Sequence, residues 1–189
     1  MDKARNGFQF HNFVNLEEPK LLEILAWRNH PEISKWMFNS NPISIKEHFA
    51  FCNSLRQRED CSYWLVSKVG KDLGVVNLTN FKKAENTGEW GFYLKPDFFR
   101  SGKGLELFCM AQYFFFRTLN ISVLKGMVQV DNKNAMTLND FFGMKHIEFQ
   151  EFNGIKYSYR EQVSADWNDE FLDFKKMNKW FIEYLQELR

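Results

Sequence analysis

The sequence is poor in the residues that build several common classes of protein. Only 10 glycines and 4 prolines occur among 189 residues, which excludes collagen-like and low-complexity chains. The formal net charge is +1, from 25 Lys and Arg against 24 Asp and Glu, so the strongly basic surface of a nucleic-acid-binding protein is missing. We therefore expect no nucleic-acid partner.

Cysteine and histidine are also scarce. The three cysteines, Cys52, Cys61 and Cys109, are odd in number and widely spaced, which favours reduced thiols in a cytoplasm over a disulfide framework. The four histidines are scattered, and the sequence contains neither a CxxC pair nor an HExxH motif. We therefore expect no metal site.

Long hydrophobic runs are missing as well. The most apolar segment, residues 105–119, is interrupted by Glu106, Gln112 and Arg117. It is shorter than the ~20 apolar residues that a membrane-spanning helix needs. The first 25 residues carry charges throughout and lack the apolar core of a signal peptide. These features predict a cytoplasmic protein without a membrane partner.

Aromatic residues, by contrast, are abundant. They make up 17% of the chain, including 21 Phe and 6 Trp, and apolar residues make up 44%. A chain of this length buries roughly 70% of the surface that it exposes when unfolded, and this composition excludes a mainly disordered protein. No linker, repeat or low-complexity tract divides the chain, so we expect one domain over residues 1–189.

Hydrophobic periodicity and turn signals predict a mixture of strands and helices. The predicted strands are residues 7–14, 63–68, 73–81, 88–95, 123–130, 145–152 and 155–163. The predicted helices are residues 20–28, a helix opened by the capping box Ser44–Glu47, and residues 104–118, 133–142 and 167–188, the last being appended at the C-terminus. Consecutive strands followed by helices indicate an α/β (α+β) fold rather than a regularly alternating doubly wound sheet.

The junction after the strand 88–95 is the most informative point of the sequence. There, Arg100-Ser101-Gly102-Lys103-Gly104 leads directly into a helix. The two glycines permit close approach of the backbone, and the start of a helix offers free amides and a partial positive charge, to which Arg100 and Lys103 add. The pattern predicts an anion site suited to a pyrophosphate, with a simple glycine turn before a helix as the alternative. It is neither a Walker A loop nor a GxGxxG fingerprint.

A second segment, Asp131-Asn132-Lys133-Asn134-Ala135, opens a helix that ends at Phe142-Gly143-Met144. Together with the glycine loop it resembles the GNAT superfamily of acetyl-CoA-dependent N-acetyltransferases, over roughly residues 27–163. The resemblance implies a mixed, mostly antiparallel central sheet flanked by helices, with a splay between the fourth and fifth strands that holds acetyl-CoA. The cofactor residues that it implies are Phe92, Leu94, Arg100, Ser101, Gly102, Lys103, Gly104, Leu105, Glu106 and Asn132.

The sequence departs from the usual family pattern in two places. Ser101 and Glu106 stand where the family loop usually has Gln or Arg and Gly or Ala. Asn139 stands where many members carry a tyrosine that protonates the leaving thiolate, a catalytic position. Because an asparagine cannot supply that proton, another group or water must do so, or the thiolate leaves unprotonated.

A narrower resemblance lies upstream, in Trp27-Arg28-Asn29-His30-Pro31 and in the segments 36–37 and 43–48. These segments resemble the nucleotide-sugar N-acetyltransferases of the pseudaminic acid pathway, which acetylate the 4-amino group of a UDP-linked 4-amino-4,6-dideoxy sugar. The resemblance implies a small-molecule amine acceptor. The residues that it places on the acceptor side are Arg28, Met37, His48 and Tyr93.

Each of these acceptor residues also has a structural interpretation. Arg28 suits the C-terminal end of a helix as a cation, His48 lies on the apolar side of its helix, and Met37 and Tyr93 fit a core. His48 is the candidate general base for the amine. Acetylation of a protein N-terminus, as in the ribosomal-protein acetyltransferases, and non-catalytic CoA binding stay open as alternatives. The aromatic C-terminal helix is expected to pack on the core or to form the surface of a homodimer.

Overall fold

The computed structural model describes residues 5–188, and this part of the chain folds around one seven-stranded sheet. The strands are β1 (Phe8–Asn12), β2 (Ser62–Lys68), β3 (Lys71–Lys82), β4 (Thr87–Leu94), β5 (Val123–Gln129), β6 (Lys145–Phe152) and β7 (Ile155–Val163). The helices are α1 (Glu18–Arg28), α2 (Pro31–Ser34), α3 (Ile45–Ser54), α4 (Lys103–Tyr113), α5 (Lys133–Phe141) and α6 (Phe174–Glu187). The strands lie in the order β1-β2-β3-β4-β5-β7-β6, and every neighbouring pair is antiparallel except β4 and β5. The expected mixed, mostly antiparallel sheet is therefore confirmed.

Helices cover both faces of the sheet. On one face, Leu107 and Phe108 of α4 are fully buried against the strands, with the C-terminal end of α5 beside them. On the other face, Ile24 and Trp27 of α1 pack with Cys52 of α3. Burying one such large apolar side chain stabilises the fold by about 1.5–3 kcal/mol. The helices on both faces therefore fix the positions of the sheet and of the loops that join its strands.

The fourth and fifth strands separate after a short common stretch. They pair in parallel only at Thr87–Glu89 opposite Val123–Lys125. Beyond that point β4 continues beside β3 as far as Leu94, whereas β5 continues beside β7. The expected splay is confirmed, and it leaves the last residues of β4 without a strand partner on the β5 side.

The helix predicted over residues 167–188 begins later than expected. α6 starts at Phe174 because the Asp173 carboxylate accepts hydrogen bonds from the amides of Lys175 and Lys176, at 3.1 and 3.2 Å. The preceding residues form short 3₁₀ turns over 164–166 and 169–172. Trp167 is buried in the core all the same. Trp167 is spaced like the apolar residues of α6 because it packs into the same core, although it belongs to a turn before the helix.

Neither a membrane-crossing helix nor a metal cluster occurs within residues 5–188. No helix there combines the length and the apolar character that crossing a bilayer requires. No group of three or more His, Cys, Asp or Glu side chains in that range is placed to hold a metal ion. All three cysteines are free and buried.

Candidate functional site

A cavity of about 840 Å³ lies at the opening between β4 and β5. This volume is in the range of small-molecule and cofactor sites, roughly 300–1,000 Å³. The end of β4, the loop before α4, and residues of α2, α5 and α6 form its walls. The cavity brings together nine residues that the sequence predicted for the site: Met37, Phe92, Tyr93, Leu94, Arg100, Gly102, Gly104, Leu105 and Asn132.

The loop before α4 is built for the close approach of an anion. Gly102 is the N-cap of α4 and has a φ of 78°, a left-handed conformation that favours glycine. The Lys103 amide donates to Ser101 Oγ at 3.3 Å and the Leu105 amide to the Gly102 carbonyl at 3.2 Å. The amides of Gly102 and Gly104 donate to no acceptor within residues 5–188, so these two stay available for a ligand. A Cβ on Gly104 would lie 3.2 Å from Leu94 Cδ1. Any side chain at position 104 would therefore crowd Leu94 beside the cavity, and the lack of one suits the pyrophosphate of a CoA molecule.

Three residues predicted to bind the cofactor do not line the cavity. The Ser101 hydroxyl donates a hydrogen bond to the Phe98 carbonyl at 2.6 Å. Lys103 pairs with Glu106 at 2.9 Å, and Glu106 also pairs with Lys68 at 2.6 Å. Burial raises the pKa of Glu106, but the hydrogen bonds from the two ammonium groups outweigh it and hold the pKa below its ordinary value. These three side chains brace the loop and the first turn of α4 from outside the cavity.

Arg28 lies at the end of α1, beside the wall that carries Met37 and Tyr93. Its Nη2 donates to the Asn39 carbonyl at 2.6 Å. Its Nη1 is buried and has no hydrogen-bond partner among residues 5–188. Burial lowers the pKa of Arg28, while the neighbouring Tyr93 and Tyr63 act in the opposite direction. An unsatisfied buried donor costs about 1–3 kcal/mol. Arg28, predicted for the acceptor side, does not itself line the cavity; it lies behind Tyr93, which does.

The segment 35–44, here called the α2–α3 loop, forms the wall around Met37. The side-chain amide of Asn29 makes two hydrogen bonds of 2.8 Å to the backbone of Ile43. The ring of Phe38 stacks on Tyr157 with their centroids 4.8 Å apart. Arg28 holds the middle of the same loop. Neither Asn29 nor Phe38 was predictable as a determinant of this wall, because each acts through a partner that is distant in sequence.

The two catalytic candidates, His48 and Asn139, do not line the cavity. His48 is buried between α3 and α1, and its Nε2 donates to the Leu21 carbonyl at 2.9 Å. Asn139 is buried on α5, and its side-chain amide donates to the Ala135 carbonyl at 2.7 Å. Both side chains thus have structural partners, and neither is placed to exchange a proton with a ligand in the cavity.

We expect His48 to make the stability of the fold depend on pH. Burial lowers the pKa of His48 below its ordinary value of 6.5, so the folded state favours the neutral imidazole. Its contribution to stability is complete above about pH 6.5 and is lost as the pH falls toward the folded pKa. In His48→Gln the side-chain amide can still donate to the Leu21 carbonyl without titrating. The free energy of unfolding, measured by urea titration between about pH 7 and pH 5, should then fall less steeply with acid than in the wild type. Identical slopes would show that His48 does not titrate on unfolding.

Comparisons with known proteins agree with this geometry. The family model described as an acetyltransferase (GNAT) domain matches residues 13–145. Acetyltransferase PseH of Campylobacter jejuni is 32% identical over 127 residues, which are 67% of this chain and 78% of that protein.

Solved structures share the fold at lower identity. The crystal structure of C. jejuni N-acetyltransferase PseH in complex with acetyl coenzyme A superimposes with a TM-score of 0.65 and 23% identity, covering 82% of this chain and 98% of that one. Spermidine N-acetyltransferase from Vibrio cholerae, in complex with CoA and spermine, gives a TM-score of 0.75 and 20% identity, covering 85% and 97%.

The family match covers well over half of the chain and includes the β4–β5 splay and the glycine loop. The resemblance drawn from the sequence motifs is therefore confirmed. The chain belongs to the GNAT acetyltransferase family and is an acyltransferase that uses acetyl-CoA as its co-substrate.

Proposed function

We propose that this enzyme transfers the acetyl group of acetyl-CoA to the 4-amino group of a UDP-linked 4-amino-4,6-dideoxy sugar. The 32% identity to acetyltransferase PseH supports this acceptor. The structural observation that supports it is the buried Nη1 of Arg28, a cationic donor without a partner among residues 5–188. Arg28 lies next to Tyr93, which lines the cavity, and we propose that its guanidinium reaches the bound acceptor. A guanidinium suits the phosphate and hydroxyl oxygens of a nucleotide sugar.

The cofactor would lie along the end of β4 and reach the start of α4. Phe92 and Leu94 line the opening where the pantetheine arm fits, and Gly102 and Gly104 leave the helix amides open to the pyrophosphate. Arg100 lines the same cavity and adds a cation. Bound acetyl-CoA supplies an activated thioester. An amide of β4, free on the β5 side, would stabilise negative charge on the thioester oxygen.

The reaction itself is a direct transfer. The neutral amine nitrogen attacks the thioester carbonyl carbon, the carbon–sulfur bond breaks, and the amine loses a proton to water. Tyr93 lines the cavity, and burial raises the pKa of its phenol, so the phenol keeps its proton at neutral pH. We propose Tyr93 as the donor that protonates the leaving thiolate, the role that Asn139 cannot fill. The phenolate of Tyr93 then regains a proton from water.

The charges around the cavity favour this acceptor over a polyamine. A polyamine is held by free carboxylates, and Glu32 is the only acidic residue that lines the cavity in the described part of the chain. Its carboxylate is already paired with Lys35 at 2.7 Å. Polyamines and peptides with a free N-terminus are therefore expected to be poor acceptors.

Release of the CoA thiol with a panel of amines tests this proposal. Acetyl-CoA is mixed with the enzyme and the UDP-linked amino sugar, spermidine or a peptide with a free N-terminus. Thiol release with the sugar, and only background release with the other two, is the expected result. Faster release with the peptide would transfer the assignment to a protein acetyltransferase. Binding of CoA without release for any amine would favour a non-catalytic member of the family.

The proposed location is the cytoplasm. All three cysteines are unpaired thiols, as expected for a reducing compartment. Burial raises the pKa of Cys52 to about 11, which keeps that thiol protonated and unreactive. A homodimer and a single domain over residues 1–189 stay predictions.

A further inference from the structure

The C-terminal helix α6 lines the cavity although it lies outside the family match. The match ends at residue 145, whereas α6 spans Phe174–Glu187. Phe181 and Leu185 of α6 contribute to the cavity wall, together with Leu105 of α4 and Leu138 of α5. The helix therefore takes part in the site although the family match does not include it.

The beginning of α6 is fixed against α4 and the sheet. Just before the helix, the Phe171 carbonyl accepts a hydrogen bond from the Cys109 thiol of α4 at 3.5 Å. Lys68, which pairs with Glu106 of α4, lies over the ring of Phe174 at 5.0 Å from its centroid. One turn later, Met177 is fully buried in the core.

The second half of α6 is packed on α5. The ring of Phe141, at the end of α5, lies 4.9 Å from the ring of Phe181 and 5.6 Å from that of Tyr184. Since its first turns are held at α4 and its later turns at α5, the helix spans the outer side of the groove between them. That groove leads to the open amides at the start of α4.

The apolar residues of α6 differ in the surroundings that they face. Leu185 lines the cavity and is 37% exposed, so a ligand in the groove would remove it from water. Ile182 is 57% exposed and does not line the cavity. The same helix thus offers two exposed aliphatic residues, of which only one faces the cavity.

We propose that α6 completes the acetyl-CoA site by closing the outer side of the groove between α4 and α5. Phe181 and Leu185 contact the bound cofactor and cover part of its apolar surface. Removing apolar surface from water contributes about 25 cal/mol per Å², so this contact strengthens cofactor binding directly. The inference rests on the proposed position of the cofactor at the start of α4.

The matched pair Leu185→Ser and Ile182→Ser tests this inference in the full chain. Both variants introduce the same residue into the same helix, so the cost to helix formation is alike. The dissociation constant of CoA is measured by calorimetry, which does not depend on turnover. Leu185→Ser should weaken CoA binding about tenfold, as the loss of most of a leucine contact predicts, whereas Ile182→Ser should bind as the wild type does.

Two further comparisons keep the outcome interpretable. Leu185→Met keeps an apolar side chain and should bind CoA within about twofold of the wild type. Equal CoA affinities of Leu185→Ser and Ile182→Ser, with normal binding by the wild type, would overturn the role of α6 and leave the proposed function standing. A wild-type protein that binds no CoA would instead contradict the proposed function itself.

Discussion

Gly104→Val should abolish measurable binding of CoA while the protein stays folded. Gly104 lies in the first turn of α4 and lines the cavity, and an added Cβ already approaches Leu94 Cδ1 to 3.2 Å. The branched methyl groups of valine would occupy the space that a phosphate needs to reach the helix amides. Losing two charged hydrogen bonds of about 1.5–3 kcal/mol each corresponds to a loss of affinity of at least about 100-fold.

Gly104→Ala is the graded control for this variant. Its single methyl group meets only the end of the flexible Leu94 side chain, so CoA binding should weaken to an intermediate degree. Calorimetry gives the dissociation constants, and thermal unfolding without ligand checks the fold. Wild-type affinity in Gly104→Val would show that the pyrophosphate does not bind at this helix start.

Arg28→Ala should raise the KM for the acceptor about 10- to 100-fold and leave the dissociation constant of CoA unchanged. The expected range follows from the loss of one charged hydrogen bond, about 1.5–3 kcal/mol, between the open Nη1 and the acceptor. CoA affinity should not change, because Arg28 bonds the α2–α3 loop at Asn39 and not the glycine loop. Steady-state kinetics with the acceptor varied at saturating acetyl-CoA gives the first quantity, and calorimetry gives the second.

Asn29→Ala separates the charge of Arg28 from its effect on the loop. Asn29 fixes the α2–α3 loop through Ile43 but carries no charge. Its removal should therefore raise the acceptor KM less than Arg28→Ala does. Equal effects of the two variants would mean that Arg28 acts only through the loop. If Arg28→Ala instead lowers the Tm and leaves the acceptor KM unchanged, Arg28 only stabilises the end of its helix. The nucleotide-sugar proposal would then lose its main physical support.

The cofactor half of the site was predictable because its determinants are local in sequence. A strand end, Gly102, Gly104 and a helix start follow one another within a few residues, and their geometry depends little on the rest of the fold. The same segment shows the limit of that reasoning. Lys103 and Glu106 belong to it, yet their side chains pair with each other, and Glu106 also pairs with Lys68 of the distant strand β2.

The acceptor half depends on contacts that no local pattern records. His48 has the spacing of a residue that faces either a core or a cleft, and its bond to Leu21, 27 positions away in sequence, places it in the core. Phe38 is an exposed loop residue, and its stacking on Tyr157 could not be predicted because the two positions are far apart in sequence.

The start of α6 could have been found from the sequence. Asp173 directly precedes the helix and is a typical N-cap residue. Trp167 and Phe171 continue the apolar spacing of α6 toward the N-terminus, and for that reason the helix was predicted to begin at residue 167.

The most direct test of this account compares the UDP-linked 4-amino-4,6-dideoxy sugar with the same amino sugar lacking the nucleotide. Both are offered to the wild-type enzyme with acetyl-CoA, and kcat/KM is obtained from thiol release while the mass and the site of acetylation of the product are determined. We expect a product acetylated at the 4-amino group and a kcat/KM at least about tenfold higher for the UDP-linked sugar, the least that one charged hydrogen bond to the nucleotide contributes. Equal kcat/KM values for the two sugars, or acetylation of neither, would contradict this account.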